Sequence, residues 1–173
     1  MTEELHDSLV DLLVRRLDAT VGAAAMVDWA TAALCAGLDS PALVILAGLP
    51  RPAALSDAEP WFVKTLDELG IKLPPAEEIR RAYVGVVSRA ILAGTSEPGN
   101  ALDLIHRHAV SPLGHPSDLN PWCFVWERLA PSDFHSLDAT GVAQEARALA
   151  TAWARGPFLA SPKALDASRR GNT

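Results

Sequence analysis

The strongest constraint in this sequence is a series of helix signals, many with their own start and stop residues, that runs along most of the chain. Apolar residues recur three or four positions apart, as in Leu5, Leu9 and Leu13 after the N-cap residue Thr2. Runs of alternating β-branched and aromatic residues between hairpin turns are missing from the sequence. The pattern therefore predicts an all-α protein, an irregular bundle of about seven or eight short helices in which HEAT-like helical pairs can form.

Several helix boundaries can be assigned from capping residues. Ser40 precedes a proline, which is typical of an N-cap followed by the first helical residue. Ser56 and Glu59 have the spacing of a capping box, in which each side chain bonds a free amide of the first turn. Gly70 followed by Ile71 fits a Schellman motif, since glycine adopts the left-handed conformation that ends a helix.

The clearest helix is predicted over residues 76–93, where Ile79 and Tyr83 lie on one apolar face and Gly94 follows the last turn. Gly85 lies inside this helix and costs about 1 kcal/mol relative to alanine. We therefore expect a neighbouring helix to cross closely at Gly85.

The chain length of 173 residues suits one self-sufficient core. The last helical pattern ends at Gly156 and Pro157, beyond which the sequence loses its apolar periodicity. We predict a single all-α domain over residues 1–157 and a flexible C-terminal tail over residues 158–173.

The charge balance is acidic, with 15 Lys and Arg against 21 Asp and Glu and a net charge of -6. Such a surface repels phosphate backbones and anionic lipid, so nucleic acid and membranes are not expected partners. The acidic start lacks the features of a secretory signal, and no apolar run is long enough to span a bilayer. These features predict a cytoplasmic protein.

The two cysteines, Cys35 and Cys123, are far apart and belong to no Cys-x-x-Cys pair. Cytosolic proteins keep such thiols reduced, and free cysteine is among the most buried residue types. We therefore expect two reduced, buried thiols.

Four of the five histidines lie within residues 106–135. A metal site in this segment would draw on imidazole and carboxylate ligands, namely His106 or His108, His115, His135, and Asp118 or Asp133. Histidines two positions apart point away from each other on a helix, and the sequence contains no His-Glu-x-x-His element. The spacing therefore favours surface histidines over ligands, and we assign no metal and no other cofactor.

The same segment offers groups for acid–base catalysis. Asp118 could orient His115, and Asp133 could orient His135, with a nearby serine as nucleophile. Gly-x-Ser-x-Gly, P-loop and Gly-x-Gly-x-x-Gly motifs are absent, and an all-α fold has no parallel sheet to present them. We therefore assign no catalytic residues, and the sequence favours a non-enzymatic protein while leaving an enzyme open.

Tryptophan is unusually frequent, with five residues in a chain of low aromatic content. Trp122 and Trp126 are four positions apart and share one face of a short predicted helix. We expect tryptophans to fill the core of this alanine-rich protein, while large rings also serve as interface anchors. A binding surface in this region would comprise His115, Asp118, Trp122, Trp126, Asp133 and His135.

Residues 28–49 read DWATAALCAGLDSPALVILAGL. This stretch resembles a pattern in uncharacterised small bacterial all-α proteins, some of which are similar to immunity or accessory proteins. The resemblance implies a compact helical fold and no catalytic signature, so it assigns no active-site residue.

The acidic balance, the capped helices and this resemblance together predict a non-enzymatic protein-binding module of a bacterial cytoplasm. In its most specific form it is an immunity protein that masks a toxin or other basic partner by steric or electrostatic means. The alternative is a small helical enzyme or ligand-binding protein whose pocket between helices is lined by tryptophan and histidine. The sequence leaves the oligomeric state open.

Overall fold

The computed structural model describes residues 1–129 and 139–154. Within these ranges the protein is all-helical, with eight α-helices, one π-helix and no strand. The predicted all-α fold is thereby confirmed. The tail predicted over residues 158–173 lies outside the described residues.

The chain divides into two compact units. The described residues of the first unit are 1–74, and those of the second are 75–129 and 139–154. The two units are described separately below.

The first unit contains four α-helices. They are α1 (Glu3–Leu17), α2 (Ala23–Cys35), α3 (Pro41–Ala47) and α4 (Leu55–Glu68). Helices α2, α3 and α4 pack on one another, and α1 packs on α2. The core of this unit is apolar and includes Leu9, Leu13, Met26, Leu43, Leu46, Phe62 and Leu66.

Trp29 connects the helices of this core. Its indole N–H donates to the carbonyl oxygen of Leu5 at 3.4 Å, so the polar end of the buried ring has a partner. Its ring meets Phe62 edge-on with centroids 5.6 Å apart. Trp29 is therefore a core residue, as we predicted for the tryptophans.

The capping residues of this unit behave largely as predicted. The Thr2 hydroxyl accepts from the backbone N–H of Leu5 at 3.3 Å, and the Ser40 hydroxyl accepts from that of Leu43 at 3.2 Å. Gly70 follows α4 with a φ of 69°, and the next residue bonds back to the helix, which forms the predicted Schellman motif.

The predicted capping box at the start of α4 is wrong. The helix begins two residues earlier, with Ala54 in place of Ser56 as its N-cap and no side-chain cap. Glu59 instead pairs with Arg16 of α1, whose Nε donates to it at 2.9 Å. The local pattern paired the Glu59 carboxylate with Ser56, but this carboxylate binds Arg16 of another helix.

The second unit contains four α-helices and a π-helix. They are α5 (Ala76–Ala93), α6 (Pro98–Ile105), the π-helix (His106–Val110), α7 (Asn120–Glu127) and α8 (Ala139–Trp153). Helix α5 packs on α6 and α8, while α7 contacts α6, the π-helix and α8. The core of this unit includes Tyr83, Val87, Leu102, Ile105, Leu119, Trp122, Val142 and Ala146.

Gly85 lies where α5 meets α8. A Cβ atom at Gly85 would be 3.5 Å from the carbonyl oxygen of Trp153 and 3.5 Å from the Arg89 guanidinium. Helix α8 therefore passes next to Gly85, as predicted, but an added Cβ atom would make only ordinary van der Waals contacts, so the approach does not require glycine.

The two thiols differ in exposure. Cys123 is buried as expected, but Cys35 is exposed, so the expectation of two buried thiols is wrong for Cys35. The reason is its place as the last residue of α2, off the face that Ala30 and Ala33 bury.

No helix of the described ranges has both the length and the apolar character that crossing a membrane requires.

Candidate metal centre

The candidate site begins where α6 widens into the π-helix. The backbone N–H of Ser111 donates to the carbonyl of His106 at 2.9 Å, and that of His115 donates to Val110 at 3.0 Å, each five residues back. Such π-turns are rare and recur at functional sites, because they change the direction of side chains along a helix. His106 is the first residue of this π-helix.

His115 holds an unusual backbone conformation. Its φ is 56°, directly after Gly114 with a φ of 72°. A non-glycine residue in the left-handed region costs about 1–3 kcal/mol, and such residues cluster at functional sites. The conformation brings the His115 ring next to that of His106, with centroids 5.7 Å apart.

Cys123 of α7 completes this group of side chains. Its Sγ is 3.7 Å from Nδ1 of His115. One ligand atom from each of His106, His115 and Cys123 lies within 4.8 Å of the other two. The π-helix, the following loop and α7 thus bring two imidazoles and one thiol together.

These separations are close to those around a bound metal ion. Tetrahedral zinc, with Zn–S bonds of about 2.3 Å and Zn–N bonds of about 2.0–2.1 Å, places its ligand atoms roughly 3.3–3.7 Å apart. The distance from Cys123 Sγ to His115 Nδ1 is already 3.7 Å. Side-chain shifts of about 1 Å would bring all three donors to bonding distance.

Glu127 lies one helical turn after Cys123. The Cys123 thiol donates to Oε1 of Glu127 at 3.4 Å. Burial of the thiol, together with this nearby carboxylate, raises the pKa of Cys123. Without an ion, the thiol therefore holds its proton at neutral pH.

Trp126 covers the other side of His106. The two rings are stacked with centroids 3.6 Å apart and an interplanar angle of 2°. Burial, and secondarily the neighbouring His115, lowers the pKa of His106. His106 is therefore neutral near pH 7, the form in which an imidazole binds metal.

A cysteine beside a histidine can also be a catalytic nucleophile. Such a cysteine is activated by a lowered thiol pKa or by an adjacent general base such as histidine. The pKa of Cys123 is raised instead, by burial and by Glu127. A metal ion reverses this situation because a coordinated thiol is deprotonated outright. The second imidazole, that of His106, adds a third donor beside the thiol and His115, and such a donor set suits a metal ion.

Asp118 does not orient His115. Its carboxylate accepts from Nε of Arg81 on α5 at 2.8 Å, and the Arg81 guanidinium holds the pKa of Asp118 below its usual range. The carboxylates of Asp118 and Glu77 together raise the pKa of Arg81. Asp118 therefore ties the loop of residues 111–119 to α5.

The other residues that the sequence singled out have separate places. Trp122 is 1% exposed and belongs to the core, while Trp126 is half-buried against His106. His108 packs edge-on against Tyr83, apart from the group of His106, His115 and Cys123. Asp133 and His135 lie outside the described residues.

Cys123 was missed as a site residue by reasoning from the sequence. The clustered histidines indicated residues 106–135, but only imidazole and carboxylate groups were considered as ligands, and the cysteine thiol was not. A usable signal was present, because a cysteine and a glutamate four apart on one helix share a face. The pairing with His115 depends on the loop conformation and on a left-handed residue, which no spacing rule predicts.

No family model, curated protein or solved structure matches this chain. The class that the fold and the site define is an all-α protein with a cluster of two imidazoles and a thiol.

Proposed function

We propose that this protein binds a transition-metal ion, Zn²⁺ in the first place, through His106, His115 and Cys123. The observation that carries the proposal is the convergence of these donor atoms within 4.8 Å from three separate elements. A thiolate with imidazoles suits zinc, whereas magnesium and calcium require oxygen ligands. A reducing cytoplasm, where we place the protein, would keep Cys123 available as a thiol.

A cobalt titration of the full chain tests this function. Co²⁺ adopts zinc geometry, and its bond to a thiolate gives a near-ultraviolet charge-transfer band. We expect a band that saturates at one equivalent and that Zn²⁺ removes by displacement, since zinc binds such sites more tightly than cobalt.

Two cysteine variants provide a matched comparison. Cys123→Ser should abolish the band, while Cys35→Ser, the same change at the exposed thiol of the first unit, should leave it intact. A wild-type protein without the band, or a band that persists in Cys123→Ser, would overturn the proposed function.

A protein-binding role is the second candidate, and an exposed ring favours it. Phe124 on α7 is 63% exposed, the highest value among the large apolar side chains that the structure describes. Aromatic anchors of this kind dominate the energy of many interfaces. With a net charge of -6, the protein would attract a basic partner, as an immunity protein attracts a toxin.

Immobilised protein exposed to a lysate of its source tests this second role. We expect capture of a basic protein that elutes with salt, with reduced capture by Phe124→Ser. Leu92→Ser, which changes an exposed residue of α5, serves as control and should capture as well as the wild type. Equal capture by both variants would argue against Phe124 as an anchor, and no capture would argue against the role.

A further inference from the structure

Resting on the proposed metal binding, we infer that Glu127 supplies the fourth ligand and closes the coordination sphere. Zinc sites with four protein ligands are structural, whereas catalytic sites keep one position for water or substrate. The ion is therefore a cross-link between the π-helix, the loop of residues 111–119 and α7, and it is not a reaction centre.

The position of Glu127 on α7 supports this assignment. Residues four apart on a helix lie on one face, and here the carboxylate is already 3.4 Å from the Cys123 sulfur. Glu127 is exposed, so its side chain has the freedom to turn toward an ion bound beside Cys123.

The charge of the site favours a carboxylate as fourth ligand. A divalent ion with one thiolate and two neutral imidazoles has a net charge of +1. A carboxylate brings the sum to zero, and the attraction between its negative charge and the net positive charge favours it over a neutral ligand. Water as the fourth ligand would leave the positive charge uncompensated.

Neighbouring carboxylates are engaged elsewhere. Asp118 is held by Arg81, and Asp103 is paired with Arg107. Within the described part of the chain, Glu127 forms no ion pair, and its contact is with the Cys123 thiol. Among the described carboxylates near the site, Glu127 is thus the one available to the ion.

Exogenous thiocyanate, added to the full chain loaded with Co²⁺, tests whether the sphere is closed. Thiocyanate binds cobalt at a free or water-occupied position and changes its visible spectrum. We expect no change in the wild type, and a clear change in Glu127→Ala, whose fourth position is open.

The affinity for Co²⁺ provides a second readout. Loss of an outer partner of a metal ligand costs about 10–100-fold in affinity, so loss of a ligand should cost at least tenfold. Asp103→Asn removes the same charge from a carboxylate near His106 and should change neither the affinity nor the thiocyanate response appreciably. Circular dichroism of the metal-free variants checks that each one folds.

The outcomes separate the two proposals. A wild-type cobalt protein that responds to thiocyanate, or a Glu127→Ala protein with unchanged affinity and spectrum, would overturn the role of Glu127 while metal binding stands. A wild-type protein with no thiolate band would overturn metal binding, and the role of Glu127 with it.

Discussion

At the scale of single residues, the left-handed backbone of His115 bears most directly on the candidate site. Glycine adopts this conformation freely, and asparagine, aspartate and histidine tolerate it better than other residues do. Histidine at a φ of 56° is held there by its surroundings, and its ring reaches the Cys123 sulfur as a result. The strained backbone of His115 thus sets the position of its ring nitrogen next to Cys123.

We therefore expect His115→Gly to stabilise the metal-free protein while it abolishes metal binding. Relief of the left-handed conformation should raise the free energy of unfolding by about 1 kcal/mol, partly offset by the greater freedom of glycine when unfolded. Urea denaturation in the presence of a chelator and the cobalt titration measure the two effects.

His115→Asn is the matched control because asparagine accepts the same backbone conformation without an imidazole. It should lose the metal with a smaller change in stability. A metal-free His115→Gly protein that is less stable than the wild type would show that ring contacts outweigh the strain.

Residue patterns predicted local caps well where the partner is only three or four positions away. The hydroxyls of Thr2 and Ser40 bond the amides that the patterns indicated, and Gly70 is left-handed. The pattern failed at Ser56, because Arg16 of another helix takes the carboxylate of Glu59. Local rules hold until a distant side chain competes for the same group.

At the scale of elements, the crossing of α5 and α8 at Gly85 allows a stabilising change. The nearest atoms to an added Cβ are 3.5 Å away, an ordinary van der Waals distance. Alanine is better than glycine inside a helix by about 1 kcal/mol.

We expect Gly85→Ala to raise the free energy of unfolding by up to about 1 kcal/mol, measured by urea denaturation. Gly85→Val is the informative comparison, since its branched side chain would collide with α8 and should be destabilising. A destabilising Gly85→Ala would show that the two helices approach more closely than the present distances indicate.

The pair of Arg81 and Asp118 should make the stability depend on pH at the acid side. The pKa of Asp118 is lowered by Arg81, so its ionised form stabilises the fold above the unfolded-state pKa of about 3.9. This contribution disappears as the pH falls through the lower pKa of the folded state.

Asp118→Asn should therefore lower the free energy of unfolding by no more than about 1 kcal/mol at neutral pH, since the carboxylate is 44% exposed. The difference from the wild type should shrink progressively below about pH 4 in a series of urea denaturations. A difference that persists unchanged into strong acid would show that Asp118 acts through something other than its charge.

At the scale of the whole molecule, the three proposed metal ligands all lie in the second unit. An ion that binds the folded state stabilises it by about 2.7 kcal/mol at a free concentration of 100 times Kd. We therefore expect Zn²⁺ to slow amide hydrogen exchange in residues 105–127 and to leave residues 1–74 largely unchanged.

Hydrogen exchange followed by mass spectrometry measures this effect, and Cys123→Ser should show none of it. Protection spread evenly over the chain, or equal protection in the variant, would indicate non-specific binding of zinc. The experiment also tests whether the two compact units respond separately to an ion.

The predicted all-α class follows from periodicity, since apolar spacing and terminal glycines report local backbone preferences. The π-helix at His106 was not predicted, because it continues the apolar pattern of α6 and differs only in its hydrogen bonds. Of the proposed ligands, the sequence indicated His106 and His115 as members of a cluster of histidines. Cys123 was missing from that cluster, and His108, which was included, packs against Tyr83.

The sequence by itself determined where helices form and which faces they bury, because caps and periodicity act over one or two turns. The tertiary structure decided which polar side chains meet. Asp118 pairs with Arg81 and not with His115. The left-handed backbone at His115 places its imidazole beside the thiol of Cys123. Contacts between distant residues depend on how the helices pack, and that packing is a property of the whole unit.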